Sequence, residues 1–393
     1  MKKNNFKKAI NKIHLWLGLS SGIIVFIIAI TGCLYAFQEE IQNYTEEYRF
    51  VEKQNKAFLP PSKLEQIARK EFPNKSLHAI KYNGPEKSAE AIFFHYEPTY
   101  YHIIYLNPYT GKALKNVNMD EGFFNFILDG HFYLWLPDQI GQTVCASATL
   151  IFLILVLSGL YLWFPRSKNA VKQRFTFNWK ETTRWKRKNY DLHSITGFYV
   201  LLIALIFAIT GLVFGFEWFA KSFHSALGGE KSLVYVDPVS AKKTIAVTKP
   251  VDKIWIRMQK EYPNAKSIEV HPPENDSTAI AANANPEEGT FWKTDYRYFD
   301  QYSLKELEVN HLYGKYNDAA VSDKLLRMNY DLHTGAVFGL AGKIFAFLIS
   351  LLIATLPISG FYIWWGRHRK EKNKTDIAST TIDKIPTEVQ EII

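Results

Sequence analysis

Four membrane-spanning helices carrying two repeated extracytoplasmic α+β domains are the fold class that this sequence predicts, on three observations. Apolar residues gather in four windows, 15–37, 141–164, 195–216 and 344–365. None contains Asp, Glu, Lys or Arg, and each reaches the roughly 20 residues that a helix needs to cross a bilayer. Cationic residues cluster at the borders of those windows. The chain also repeats itself, in the order span, outer domain, span.

Lys2, Lys3, Lys7, Lys8 and Lys12 precede the first window. Its basic start and the run Ile30, Thr31, Gly32, Cys33 also fit a lipoprotein-type signal peptide. The length of the apolar run, and the return of the ITG tripeptide at 209–211 inside the third window, favour a span. Between the second and third windows lie Arg166, Lys168, Lys172, Arg174, Lys180, Arg184, Lys186, Arg187 and Lys188 against a single Glu181. After the fourth come Arg367, Arg369, Lys370, Lys372 and Lys374. Loops rich in Lys and Arg stay on the cytoplasmic side, so both termini and the middle loop are expected inside, and two large loops outside. The formal charge of +9 is accounted for by this pattern and gives no support to a nucleic-acid partner.

The implied domains begin with 1–38 (basic segment and first helix), 39–130 (first outer domain) and 131–165 (an interfacial segment and second helix). A cytoplasmic loop, 166–189, leads to the third helix at 190–217 and the second outer domain at 218–332. The fourth helix at 333–366 is followed by a cytoplasmic tail, 367–393, polar and expected to be mobile from about Lys370.

The repeat has fixed spacing. His14 is followed by Gly18, Thr31 and Gly32 at the same intervals as His193 by Gly197, Thr210 and Gly211. SGLYLWFPR at 158–166 matches SGFYIWWGR at 359–367, and His131 and His333 precede these segments at nearly equal distances. In the outer domains KEFPNKSL at 70–77 matches KEYPNAKSI at 260–268, and YLNPYTGKAL at 105–114 matches YFDQYSLKEL at 298–307. Residues 61–72 have the apolar spacing of a helix, with Ser62 as its N-cap. The short aromatic and β-branched runs 77–82, 89–95 and 100–106 read as strands, ending in a turn at 107–111. Each outer domain is thus expected to be one helix on a small antiparallel sheet, the second (251–307) interrupted by a long polar loop at 275–289. The two cysteines, Cys33 and Cys145, sit inside spans and read as small apolar packing residues rather than a disulfide or metal pair.

These motifs resemble the PepSY-associated transmembrane proteins, often called iron-regulated membrane proteins. The resemblance rests on the opening at 14–18, DLHxxxG at 191–197, YLNPYTGKAL at 105–114 and the two SGxYxW segments, and it covers the chain to about Arg369. It implies PepSY-like outer domains and a multi-pass protein of the bacterial inner (cytoplasmic) membrane. The family includes ferric-siderophore reductases, so a ferric chelate or siderophore outside and an unknown electron donor inside are the implied partners. PepSY domains are also associated with peptidase propeptides, which permits a non-enzymatic reading: a membrane-anchored module that binds a peptide, protease or uptake partner.

Histidines beside span ends are the candidate cofactor ligands, because a neutral imidazole nitrogen binds haem iron while the other ring nitrogen is fixed by a neighbour. His14 and His193 form an expected inner pair, with Gly18 and Gly197 one turn on to clear a flat macrocycle or to pack helices closely. His131 and His333 form an expected outer pair, with His224 as rival outer ligand. The expected cofactor is haem b, one or two per chain, its iron held through His14, His193, His131 and His333. NYDLH occurs at 189–193 and 329–333, and its Asp191 and Asp331 are expected to cap a helix or orient the following histidine. His78, His95, His102, His271 and His311 fall in the outer domains, and His368 in the tail. Lys343 is expected to snorkel, Pro357 to kink the fourth span, and the aromatic clusters at 161–164 and 362–365 to form an interfacial belt or flank a porphyrin. The tyrosine-rich tract 93–105 suits strand packing or a ligand-facing surface. No GxGxxG lies next to a strand, no P-loop or HExxH occurs, and no GxSxG forms a nucleophile elbow, which argues against a resident nicotinamide or nucleotide hydrolysis. Transmembrane haem-mediated electron transfer to an outside acceptor is the leading expectation.

Overall fold

The structure is a computed structural model and describes residues 2–73, 75–165, 167–241 and 247–382. In chain order the helices are α1 (Lys2–Tyr35), α2 (Gln38–Thr45), α3 (Pro61–Glu71), α4 (Phe123–Phe132), α5 (Asp138–Trp163), α6 (Lys168–Phe175), α7 (Trp185–Gly215), α8 (Glu217–Ala226), α9 (Pro250–Glu261), α10 (Val321–Arg327), α11 (Asn329–Thr334) and α12 (Gly339–Ile382). The strands are β1 (Leu77–Tyr82), β2 (Ala89–Tyr96), β3 (Thr99–Leu106), β4 (Ala113–Asn118), β5 (Ser267–His271), β6 (Ile280–Asn285), β7 (Asp295–Phe299) and β8 (Glu306–Leu307). Two compact units result. A helical unit comprises residues up to 33, 130–215 and from 346 on; a sheet unit comprises 34–129 and 216–345.

In the helical unit, α1, α5, α7 and α12 contain the four apolar windows and are long and apolar enough to cross a membrane. Inside a bilayer a backbone must satisfy its own polar groups, which an uninterrupted helix does. All four contribute to one core, in which Val25, Val200, Ala204 and Ile353 are buried and Phe152 and Val156 pack against them. Small residues let α5 and α7 approach: Cys145, Ala146 and Ala148 of α5 and Ala204 and Ala208 of α7 are buried, and a Cβ on Gly215 would lie 2.6 Å from the Ala146 Cβ. Ile23, Leu157, Leu202 and Leu352 are exposed, giving the outside of the unit the apolar surface that lipid solvates. Cys33 and Cys145 are buried and not joined. The helix continues through Pro357, whose ring lies over Gly22, and α12 runs on to Ile382, so part of the expected mobile tail is helical. Arg166 and residues 383–393 lie outside the described residues.

The sheet unit corrects the expectation of two separate small sheets. All eight strands form one antiparallel sheet in the order β4-β3-β2-β1-β5-β6-β7-β8. Its halves meet where β1 pairs with β5, with Ile80 opposite Val270 and Lys81 opposite Glu269. Each half supplies one helix and four strands in the same sequence, α3 with β1–β4 and α9 with β5–β8. Leu64 and Ala68 of α3 and Ile254 and Met258 of α9 are buried in one cluster with Ile80, Phe93, Ile104, Val270, Ile280 and Phe299 of the sheet.

The expected loop at 275–289 contains strand β6. Its run of small residues hides the pattern, because both faces are covered: Ala282 and Ala284 enter the helix-side cluster, while Ala279 and Ala281 join Tyr298 on the other side. The turn expected at 107–111 is present, with the Asn107 carboxamide oxygen accepting from the Tyr109 and Thr110 N–H groups; Asp300 does the same for Tyr302 and Ser303 in the other half. Helix α3 begins at Pro61 with Pro60 as its N-cap. Ser62 lies two positions past the N-cap, and instead donates its N–H and hydroxyl to Asp252 of α9 at 2.8 and 2.6 Å.

Candidate functional site

His14 of α1 and His193 of α7 face one another in the helical unit, their ring centres 6.4 Å apart and their planes at 85°. Each is held from the neighbouring span by the serine of an SGxYxW segment. His14 Nδ1 lies 2.9 Å from Ser158 Oγ of α5, and His193 Nδ1 lies 2.9 Å from Ser359 Oγ of α12. His193 Nδ1 also donates to the Leu356 carbonyl at 3.1 Å, and Asn189 Nδ2 donates to the Ser359 carbonyl at 3.0 Å. With both Nδ1 atoms engaged, Nε2 is the nitrogen left for a ligand.

The glycine after each serine makes room for the ring. A Cβ on Gly159 would lie 3.4 Å from His14 Cε1, and one on Gly360 3.3 Å from His193 Cε1. Between the helices is a cavity of about 240 Å³ lined by His14, Gly18, His193, Gly197, Arg174 and Arg367. A Cβ on Gly18 or Gly197 would meet only the tip of Leu155 at 3.8 Å or of Leu356 at 3.9 Å, an ordinary contact, so these two glycines open the cavity rather than permit a tight helix crossing. Trp163 stacks on Phe198 at 3.7 Å in the cavity wall.

The donor set suits a haem. Two imidazoles bound at about 2 Å each to one iron have ring centres about 6 Å apart. Arg174 and Arg367 offer guanidinium groups of the kind that pair with propionate carboxylates. Among the described residues no cluster of three or more His, Cys, Asp or Glu side chains is placed to hold a bare metal ion. A pair of imidazoles fits a metal whose other ligands come with it.

A family model described as PepSY-associated TM region matches residues 11–367. The chain belongs to this family. It is therefore a membrane protein of the PepSY-associated TM class, with spanning helices and an α+β portion. No curated protein matches it.

The other candidate ligands of this PepSY-associated chain separate. His131, at the end of α4, belongs to the helical unit; its Nδ1 donates to the Ile28 carbonyl of α1 at 2.9 Å and lies 3.3 Å from Thr31 Oγ1. The ring packs on Gly32, where a Cβ would lie 2.9 Å from His131 Cε1. Thr31 and Gly32 of the ITG motif therefore do for His131 what Ser158 and Gly159 do for His14. Ile28 is fourteen residues beyond His14, about 21 Å further along α1. His333 lies on α11 in the sheet unit. His224, the rival, is buried in α8 with Nε2 2.9 Å from Asp323 Oδ1, while Lys231 neighbours the other carboxylate oxygen.

Neither aspartate of the NYDLH copies caps a helix or touches the histidine after it. Asp191 accepts from Arg187 Nε at 2.9 Å and Trp179 Nε1 at 3.2 Å, tying the basic loop to α7. Asp331 is fully buried and accepts from the backbone N–H groups of Phe291 and Trp292. Burial pushes its carboxyl up to about 6 despite those two donors. Lys343 does not snorkel to open water but forms a 2.8 Å ion pair with Glu40. Of the inner aromatic clusters, Trp163 is buried, whereas Tyr161, Phe164, Tyr362 and Trp365 are exposed as a belt would be.

Serine was the residue type that reading the sequence missed. In the sequence SGxYxW marks the repeat and the family resemblance without assigning its serine a role, although its return in both halves was the available signal. The sheet unit holds a second cavity, of about 440 Å³, lined by Tyr101 and Tyr105 of the tyrosine-rich tract together with Arg49, Lys81, Glu39 and Glu90.

Proposed function

We propose that the protein carries electrons across the bacterial cytoplasmic membrane through haem b and reduces a ferric chelate held outside. In this reading both termini lie in the cytoplasm, which the distribution of Lys and Arg supports. The observation that carries the reading is the pair His14 and His193, 6.4 Å apart, each with Nδ1 engaged beside a cavity edged by arginines.

In this function His14 and His193 bind the iron of one haem through Nε2, and Gly18 and Gly197 leave space for its plane. Arg174 and Arg367 neutralise its carboxylates. A second haem would take His131 of the helical unit as a ligand. When bound, the haem iron supplies reversible one-electron chemistry between its ferric and ferrous states. The apolar core around Val25, Val200 and Ile353 keeps water from the inner pair. Outside, the mixed-charge, tyrosine-lined cavity of the sheet unit is the proposed seat of the acceptor. One electron converts chelated ferric iron to ferrous iron, which hard oxygen donors hold less tightly, and the iron is released.

The test is an absorption spectrum of the detergent-purified protein, oxidised and dithionite-reduced. A Soret band and a reduced α-band are expected. His14→Ala and His193→Ala should remove one and the same cofactor, and His131→Ala another. Absence of a Soret band after expression with ample haem refutes the function and leaves the anchored binding module. Loss of a single shared haem in all three variants refutes the two-site arrangement.

A further inference from the structure

We propose that Ser158 and Ser359 are positioning residues that select the tautomer of His14 and His193 able to ligate a metal through Nε2, and that the two histidines depend on their serines unequally. The proposal rests on the haem function in naming the ligand. Its structural half does not.

The argument is proton accounting. A serine hydroxyl has one proton to donate. Ser158 Oγ lies 3.2 Å from the Leu155 carbonyl and Ser359 Oγ 3.0 Å from the Leu356 carbonyl. A carbonyl only accepts, so each serine gives its proton to its own helix. Toward the imidazole, each serine oxygen is then an acceptor. Nδ1 of His14 and of His193 must carry the ring proton, and Nε2 must carry the lone pair. Binding through Nε2 therefore requires neither tautomer exchange nor proton release at that ring.

The two sites differ in how many groups enforce this. His193 Nδ1–H has a second acceptor, the Leu356 carbonyl at 3.1 Å, and Asn189 braces the turn by donating to the Ser359 carbonyl. Among the described residues, His14 Nδ1 has Ser158 as its one hydrogen-bond partner. Removing the hydroxyl of Ser359 leaves His193 with a carbonyl that still demands Nδ1–H. Removing that of Ser158 leaves His14 free to turn and to exchange tautomers.

Two readouts on the full-length protein test this. In haem-free protein labelled with 15N-histidine, nitrogen shifts report the tautomer of each ring. Wild type and Ser359→Ala should both show Nδ1–H for the inner rings, and Ser158→Ala should show mixed tautomers at His14. In haem-loaded protein, Ser158→Ala should bind haem about tenfold or more weakly and change the low-spin resonance of the inner site. Ser359→Ala should change both much less, and Ser158→Thr, which keeps the hydroxyl, should restore wild-type behaviour and show that the alanine effect is not misfolding. Unmixed Nδ1–H at His14 in Ser158→Ala, or equal effects of the two alanine variants, overturns the inference. A wild-type protein that binds no haem defeats the proposed function instead and leaves the nitrogen shifts to judge the serines.

Discussion

A methyl group is enough to separate the roles of the glycines around the paired imidazoles. Gly159→Ala and Gly360→Ala would press on His14 and His193 at 3.4 and 3.3 Å, forcing each ring to shift by a few tenths of an ångström. Gly18→Ala meets nothing closer than 3.8 Å but enters the cavity. Gly18→Ala is therefore expected to leave the thermal stability of the haem-free protein within about 0.5 kcal/mol of wild type while lowering haem content per chain. A stability loss as large as that of a core overpacking variant would return Gly18 to a helix-packing role. The histidines and glycines were legible because equal intervals in two copies single them out. The serines were not, since a hydroxyl one helix away leaves no mark on the spacing of its partner. Asp191 and Asp331 misled because an acidic residue two positions before a histidine suggests a bond to it, whereas Asp191 reaches back one turn to Arg187 and out to Trp179 of the preceding loop, and Asp331 reaches the backbone of Phe291 and Trp292.

Between elements, the bond from α3 to α9 is the feature most open to measurement. Asp252 receives both the N–H and the hydroxyl of Ser62 and is buried. A carboxylate at the first turn of α3 also meets the positive end of that helix. Asp252→Ala should cost about 1–3 kcal/mol of stability in chemical denaturation, and Ser62→Ala, which keeps the N–H donor, should cost less. Equal and negligible losses would show that the two helices are held by the apolar cluster alone. Helices α3 and α9 could be seen in the sequence by their periodicity, and the strands around them by their aromatic and β-branched residues. Strand β6 could not, because alanines and asparagines that sit well between two covered faces look in sequence like a loop.

Across the sheet unit as a whole, the seam where β1 meets β5 carries a cluster of ionisable groups. The rings of His78 and His271 are 4.7 Å apart, and His271 Nε2 lies 3.1 Å from Glu269. Burial, and then the neighbouring His271, bring His78 down to about 4. Because its folded value lies below the unfolded one, its contribution is full above about pH 6.5 and is lost as the pH falls toward about 4. Partial exposure limits the effect to on the order of 1–2 kcal/mol. His78→Gln should therefore melt with less difference between pH 7.5 and pH 5 than wild type does, and an unchanged difference would assign the acid sensitivity elsewhere. The union of the two halves into one sheet was beyond the sequence, since nothing in either repeat says whether its first strand is an edge or pairs with its counterpart.

His131 is anchored at Ile28 and Thr31, about 21 Å along α1 from His14, and under the proposed function this spacing would set how much of the membrane an electron crosses. That rise is about two-thirds of a hydrocarbon core of roughly 30 Å. In the proposed function and orientation an electron leaving the level of His14 for that of His131 would move outward with no proton beside it, because each Nδ1–H is already committed and each Nε2 would be a ligand. The transfer is then electrogenic. An inside-negative potential would favour it by about 1.5 kcal/mol per 100 mV, so in sealed vesicles reduction of an external ferric chelate should quicken as that potential is raised and slow as it is collapsed.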